Sequence, residues 1–140
     1  MTCSALYERC AVAATKILIV DDDQGSRDLL SEVLASNGYA VAAVPDGASA
    51  REELARDGGY EIVIADLRMP NGSGLDLLRE LRRSNRQQEL ILMSSFMTGN
   101  EKQQALQLGA RALLDKPFRL SQLLEAVGMV VEQRSMGLKV

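Results

Sequence analysis

The sequence predicts an α/β fold, with five parallel strands in a doubly wound sheet of order 2-1-3-4-5. Short apolar runs rich in β-branched residues recur along the 140 residues, and helical patterns separate them. The runs are nearly continuous rather than alternating, which is typical of strands covered on both faces. Neither an internal repeat nor a low-complexity linker interrupts the succession. We therefore expect one domain in which each strand is followed by a helix.

Two strand–helix units occupy the first half of the chain. The apolar run of residues 16–20 is typical of a buried strand, and the helix predicted over residues 25–37 carries four apolar side chains on one stripe until a glycine stops it. Residues 39–44 form the second strand. Asp46 can then cap a weaker helix that ends near Asp57, because aspartate is among the preferred N-cap residues.

The second half begins with the strand on which the functional prediction depends. Its β-branched run over residues 62–64 stops at a carboxylate, Asp66, and a turn-rich segment follows. The remaining elements are predicted as a helix over residues 75–81, a strand over 90–93, a helix over 101–108, a strand over 111–115 and a helix over 120–131. The last helix has the clearest apolar period in the chain.

The bulk properties exclude several classes of function. A net charge of −3 gives no electrostatic footprint for nucleic acid, so no direct nucleic-acid binding is expected. No apolar run reaches the roughly 18 residues of a membrane span, and no secretory signal begins the chain. Cys3 and Cys10 both lie in the N-terminal segment, which favours a reduced, cytoplasmic protein. The absence of histidine excludes His-dependent triads and His-ligated metals.

Five polar side chains follow or end the predicted strands and should converge in one crevice. Asp21 and Asp22 follow the first strand, and Asp66 ends the third, which lies beside the first in this strand order. Ser94 and Lys116 come at the ends of the fourth and fifth strands. Because clustered carboxylates repel one another, a cation is expected among them, and their oxygens suit Mg²⁺. A hard cation beside an ammonium and a hydroxyl is typical of phosphoryl transfer.

At these positions the chain resembles the receiver domains of bacterial two-component response regulators, including the single-domain chemotaxis regulators, whose fold is flavodoxin-like. The resemblance covers residues 16–133 and leaves residues 1–15 and 134–140 as N-terminal and C-terminal tails. Four motifs carry it, namely Ile19-Val20-Asp21-Asp22, Asp66-Leu67-Arg68-Met69-Pro70, Ser94-Ser95 and Lys116-Pro117-Phe118.

The resemblance implies a role for each residue of the crevice. Asp66 is the phosphoacceptor. Asp22 and Asp66 hold Mg²⁺ together with the backbone carbonyl of Arg68, and Asp21 takes part through a water molecule. Lys116 contacts the phosphoryl group and is placed by a cis peptide bond to the proline that follows it.

Other residues are implied to control the switch, and some depart from the common pattern of the family. Ser94 is the switch hydroxyl that turns towards the phosphoryl group. Leu113 stands where the family usually has an aromatic residue that moves inward on activation, and Ser95 replaces a usual alanine. Arg68 and Phe96 lie at positions that tune the lifetime of the phosphoryl group, so we expect them to form a gate over it.

The implied function is a phosphorylation-dependent signalling switch rather than an enzyme. A partner histidine kinase or phosphotransfer protein supplies the phosphoryl group, since the chain has no histidine. An output partner, which the sequence does not identify, responds to the change. The chain's own chemistry is limited to Mg²⁺-assisted self-phosphorylation from a phosphodonor and autodephosphorylation. We expect a monomer or weak homodimer that does not bind membranes.

Two other interpretations of the sequence stay open. The chain can be a receiver that no longer takes phosphate and only binds a partner. Against this, Asp66, Ser94 and Lys116 are all present, so the chemistry should survive, and Leu113 is compatible with a constitutive or unusual switch. The spacing of Asp21 and Asp23 after a strand also resembles the nucleophile loop of haloacid-dehalogenase-type phosphatases, with Asp21 as nucleophile and Asp23 as acid/base. That chemistry needs a further acidic pair on a later strand, where only Asp115 is available.

Overall fold

The computed structural model describes residues 14–69, 73–84 and 87–135, and it has the predicted architecture. Within these ranges five parallel strands form one sheet of order 2-1-3-4-5. The strands are β1 (Lys16–Val20), β2 (Ala40–Val44), β3 (Ile62–Asp66), β4 (Glu89–Ser94) and β5 (Ala112–Asp115). The helices are α1 (Gln24–Ser36), α2 (Gly47–Arg56), α3 (Gly74–Arg83), α4 (Gly99–Gln107) and α5 (Leu120–Ser135). The doubly wound α/β prediction is therefore confirmed.

Alternate residues of each central strand enter two separate apolar cores. In β1, Ile17 and Ile19 face the core that α1 and α5 cover, whereas Leu18 and Val20 face the core beneath α2, α3 and α4. Both faces of the central strands are thus buried, which explains why their sequences are almost wholly apolar. The central strands can therefore present polar residues only at their ends.

The strand pairing brings the carboxyl ends together. Val20 of β1 pairs with Ala65 of β3, so the residues that follow β1 lie beside Asp66. On the other side, Ser94 at the end of β4 pairs with Asp115 of β5. Because parallel strands all end at the same edge, this register collects the polar residues of four strands in one crevice.

The structure moves several predicted helix boundaries, including the start of α4 and the end of α5. Helix α4 begins at Gly99, two residues before the predicted start, because Thr98 and Glu101 form a capping box around its first turn. Helix α5 continues to Ser135, four residues beyond its predicted end at residue 131. The apolar period does not extend into the polar residues of the last turn, so it did not predict this continuation. There Arg134 Nη1 donates a hydrogen bond to the carbonyl of Gln87 at 3.0 Å. The N-terminal tail, apart from residues 14 and 15, and the last five residues lie outside the described ranges.

Candidate functional site

Three carboxylates form the centre of the site. Asp21, directly after β1, is fully buried, Asp66 at the end of β3 is 7% exposed, and Asp22 is open to solvent. Each offers an oxygen atom, and these oxygen atoms lie within 4.8 Å of one another. A buried carboxylate pair with a third carboxylate at its open side is suited to a divalent cation with oxygen ligands. The donor set therefore fits the metal that the sequence predicted.

Lys116 lies against the two buried carboxylates. Its Nζ is 2.7 Å from Asp66 Oδ2 and 3.2 Å from Asp21 Oδ2. Burial acts to lower the pKa of Lys116, but the hydrogen bond to Asp66 and the charges of Asp66 and Asp21 outweigh it, so the pKa is raised and the ammonium stays charged. The peptide bond between Lys116 and Pro117 is cis, as the resemblance to receiver domains implied.

Backbone groups fix the orientation of the carboxylates. Asp66 Oδ1 accepts a hydrogen bond from the amide of Arg68, and Asp21 Oδ1 accepts one from the amide of Asp23, both at 3.0 Å. Each carboxylate thus uses one oxygen for the backbone and the other for Lys116. Arg27 Nη1 also donates to the carbonyl of Asp21 at 2.7 Å, a contact that the sequence did not indicate.

The ordinary structural roles fall to other polar residues nearby. Asp23 is the N-cap of α1, where its carboxylate accepts a hydrogen bond from the amide of Ser26 at 2.8 Å. Ser73 is the N-cap of α3, and Asp76 completes its capping box. Asp66 therefore does not cap the helix that follows it. The engagement of Asp23 in a cap also weakens the phosphatase interpretation, in which that carboxylate would act as acid/base.

Ser94 is held away from solvent by its own loop. Its side chain is fully buried, and its hydroxyl donates to the carbonyl of Phe96 at 2.8 Å while accepting from the amide of Phe96 at 3.1 Å. The carbonyl of Ser94 accepts the amide of Lys116 at 2.8 Å, which ties the end of β4 to the segment after β5. The backbone of Ser94 thus lies next to that of Lys116, and the Ser94 hydroxyl has the Phe96 backbone as its partner.

The other predicted control residues lie at different depths. Phe96 is 64% exposed, and Ser95 is exposed as well. Leu113 is half-buried beside Leu92 and packs against the core beneath α2, α3 and α4. Arg68 extends over the surface to Phe96 and to Glu101 of α4. Sequence reasoning missed Glu101, although the spacing of Thr98 and Glu101 is a capping-box signal.

A cavity opens beside the carboxylates on the α1 side of the sheet. Its volume is about 490 Å³, and its polar lining includes Asp21, Ser95 and Lys116. The rest of the lining is mainly apolar and includes Leu29, Leu30, Pro117, Phe118 and Leu120. A second cavity of about 410 Å³ lies on the other side, between Asp22 and the segment that follows Asp66. No helix in the described ranges is long and apolar enough to cross a membrane.

Comparison with known protein families and sequences agrees with this geometry. A model of the family described as "Response regulator receiver domain" matches residues 17–128. "Response regulator MprA" of Mycobacterium leprae is 36% identical over 112 residues, which make up 80% of this chain and 49% of that protein. "Transcriptional regulatory protein CusR" of Escherichia coli is 32% identical over 112 residues, with the same two shares.

Solved structures with a similar fold include receiver proteins. A response regulator receiver protein from Pseudomonas putida matches with a TM-score of 0.80 and 34% identity, over 84% of this chain and 98% of that one. The chemotaxis protein CheY4 of Vibrio cholerae matches with a TM-score of 0.78 and 27% identity, over 84% of this chain and 99% of that one. The chain therefore shares its fold with receiver domains over nearly their whole length.

These relatives correct one prediction. The expectation of no direct nucleic-acid binding is wrong, because the similar proteins include some named as transcriptional regulatory proteins. The chain spans about half the length of the curated relatives it matches. The acidic net charge describes this chain alone, so it carries no information about the parts of those relatives that the chain does not match.

Proposed function

The chain belongs to the response regulator receiver domain family, and on that premise we propose that Asp66 is the residue that accepts the phosphoryl group. The observation that carries the proposal is the contact of Lys116 Nζ with Asp66 at 2.7 Å and with Asp21 at 3.2 Å. The ammonium faces the carboxylate that would receive the phosphoryl group and can neutralise its oxygens during transfer. Among the described residues, the other hydrogen bond to the Asp66 carboxylate comes from the backbone amide of Arg68.

The proposed reaction transfers a phosphoryl group from a phosphohistidine of a kinase or phosphotransfer protein. A carboxylate oxygen of Asp66 forms the new P–O bond while the P–N bond to the donor histidine breaks. The imidazole leaves with the bonding electron pair and takes up a proton, and Asp66 becomes an acyl phosphate. Hydrolysis of that acyl phosphate by water, together with self-phosphorylation from small phosphodonors, is the only chemistry that we assign to the chain itself.

The residues that would hold Mg²⁺ are Asp21, Asp22 and Asp66, with the backbone carbonyl of Arg68 as a further ligand. Three carboxylates face one ammonium, so the cluster carries two negative charges in excess, which a divalent cation would balance. When bound, Mg²⁺ supplies electrostatic stabilisation of the phosphoryl oxygens. Lys116 supplies a positive charge at Asp66 Oδ2.

We propose that Ser94 reports the phosphorylation state. Its hydroxyl now satisfies both backbone groups of Phe96, at 2.8 and 3.1 Å. A phosphoryl group on Asp66 would offer strong acceptor oxygens to the same hydroxyl. If the hydroxyl turned towards them, the Phe96 backbone would lose its partner and the loop before α4 would rearrange. Such a rearrangement would alter the surface that an output partner binds.

The phosphodonor protein is proposed to dock at the apolar cavity on the α1 side. Asp21 and Lys116 line this cavity, and Leu29, which also lines it, is 49% exposed. An apolar surface next to a buried charged site is suited to a protein donor, since a small phosphodonor needs no such contact.

Given the relatives named as transcriptional regulators, we propose control of transcription as the output. The cytoplasmic location stays a prediction from the sequence.

The test is phosphorylation of the purified chain by acetyl phosphate with Mg²⁺, followed by intact-mass and peptide mass spectrometry. The natural chain is expected to gain one phosphoryl group on the peptide that contains Asp66, and Asp66→Asn is expected to gain none. Asp46→Asn is a matched control, because asparagine caps a helix as well as aspartate does at the start of α2. Full labelling of Asp66→Asn, or no labelling of the natural chain, would refute the assignment.

A further inference from the structure

The guanidinium of Arg68 bridges the phosphorylation site and helix α4. Its Nη2 donates to Glu101 Oε1 at 2.9 Å and makes a longer contact of 3.4 Å with the carbonyl of Phe96. The backbone amide of the same residue donates to Asp66 Oδ1 at 3.0 Å. Arg68 therefore contacts the proposed phosphoacceptor through its backbone and the first turn of α4 through its side chain.

Glu101 has two tasks at this place. Its Oε1 accepts the amide of Thr98 at 3.0 Å, which completes the capping box of α4, and it also accepts the guanidinium of Arg68. The hydrogen bond from Thr98 and the one from Arg68 both lower the pKa of Glu101, so it is charged at neutral pH. The side chain of Glu101 is 23% exposed and that of Arg68 is 56% exposed, so the pair lies at the surface without being fully hydrated.

The same pair lies next to the proposed switch. The carbonyl of Phe96 accepts both the Ser94 hydroxyl and Arg68 Nη2. While Glu101 holds Arg68, the guanidinium stays close to the Phe96 carbonyl. It therefore supports the loop conformation in which the Ser94 hydroxyl contacts Phe96. A phosphoryl group on Asp66 would carry about two negative charges, one more than the carboxylate it replaces, and its oxygens would extend beyond the carboxylate and attract the same guanidinium.

Helix α4 depends on such polar contacts more than its neighbours do. Ala105 is its one buried residue in the described part of the chain. Two polar contacts supplement this small apolar area. Arg68, in the segment after β3, contacts Glu101, and Arg79 of α3 contacts Gln104. A helix with little buried apolar surface can change position at low cost when one polar contact is exchanged for another.

We propose that Glu101 is a positioning residue that competes with the phosphoryl group for Arg68. In the resting chain Glu101 holds the guanidinium at α4 and stabilises the loop in which Ser94 faces Phe96. In the phosphorylated chain Arg68 leaves Glu101 for the phosphoryl oxygens, which releases the first turn of α4. This inference rests on the proposed phosphorylation of Asp66. It assigns to the ion pair of Arg68 and Glu101 part of the coupling between phosphorylation and the switch that an aromatic residue in place of Leu113 would otherwise supply.

The experiment measures the affinity of the full chain for beryllofluoride, a phosphoryl mimic, in the presence of Mg²⁺ by isothermal titration calorimetry. Glu101→Gln removes the charge but retains the cap, because glutamine also serves in a capping box. Removing a competitor of this exposure is expected to tighten binding about two- to five-fold. In the Arg68→Gln background the same Glu101→Gln change is expected to have no effect, since the contested side chain is gone.

Arg79→Gln is the matched control, because it removes a contact between α3 and α4 away from the carboxylates. It is expected to leave the affinity unchanged. Unchanged or weaker binding by Glu101→Gln, or an equal gain in Arg79→Gln or in the Arg68→Gln background, would overturn the competition while leaving the proposed function intact. Failure of the natural chain to bind beryllofluoride at all would overturn the proposed function and this inference together.

Discussion

Helices α3 and α4 begin in the same way but are attached to the sheet by different forces. Both cover the same core, and both start with a glycine inside a capping box, formed by Ser73 with Asp76 and by Thr98 with Glu101. In α3 four leucines are buried, whereas in α4 Ala105 alone is buried among the described residues. One helix is therefore held by apolar area, and the other by a larger share of polar contacts.

The difference matters for the switch. Apolar burial is non-directional and is lost only when a helix leaves its core, so α3 provides a fixed support behind Asp66. Polar contacts have discrete partners, and a new charge can replace one partner with another. Helix α4, next to Ser94 and Phe96, is the element that phosphorylation can move at least cost.

The largest expected effect is on α3. Leu78→Ala removes a fully buried leucine and should lower the free energy of unfolding by about 2–5 kcal/mol. Leu106→Ala in α4 changes a side chain that is 59% exposed and should stay within about 0.5 kcal/mol. Urea denaturation monitored by circular dichroism measures both. Similar losses in the two variants would contradict the contrast between the helices.

The first glycines of the two helices offer a sharper test. A Cβ at Gly74 would lie 2.8 Å from the carbonyl oxygen of Asp66 and 2.6 Å from Leu92, so Gly74→Ala should destabilise the chain by about 1–3 kcal/mol. It should also slow the labelling of Asp66 by acetyl phosphate, because the backbone of Asp66 must shift.

Gly99→Ala is the counterpart in α4. A Cβ at Gly99 meets no atom within 4 Å, so this variant should be neutral or more stable by up to about 1 kcal/mol. Denaturation midpoints and labelling rates of the two variants give the comparison. A Gly74→Ala chain as stable and as reactive as Gly99→Ala would show that α3 does not fit tightly against the site.

The smallest effect concerns pH. The pKa of Glu101 is lowered, chiefly by the hydrogen bond from the Thr98 amide and further by Arg68, so its contribution is present at neutral pH. It is lost as the pH falls below about 4.5 and through the lowered pKa. Hydrogen-exchange protection at the start of α4 should therefore decrease on acidification in the natural chain.

Glu101→Gln provides the control for this pH dependence. Its glutamine does not titrate, so the acid-dependent loss of protection at the start of α4 should be smaller in the variant. An identical loss in both chains would assign the effect to other carboxylates.

Most of the fold could be predicted because its elements carry local signals. The unbroken apolar runs of β1 and β3 and the apolar period of α5 each depend on neighbours close in sequence. Boundaries were less accurate where polar residues continued a helix, as at the end of α5, or where a cap set its start, as at Thr98. The capping box at Thr98 and the hydrogen bond from Arg134 to Gln87 set these two boundaries. Hydrophobic periodicity does not report such polar contacts.

By itself the sequence determined the strand–helix alternation, the order of the sheet and the carboxylates and lysine at the strand ends, because each follows from local pattern and from the rules of parallel sheets. The tertiary structure decided which oxygens Lys116 contacts and that Arg68 reaches Glu101. The physical reason is distance along the chain. Arg68 and Glu101 are 33 residues apart, and Asp66 and Lys116 are 50 apart, so only the folded sheet brings their charges within reach of one another.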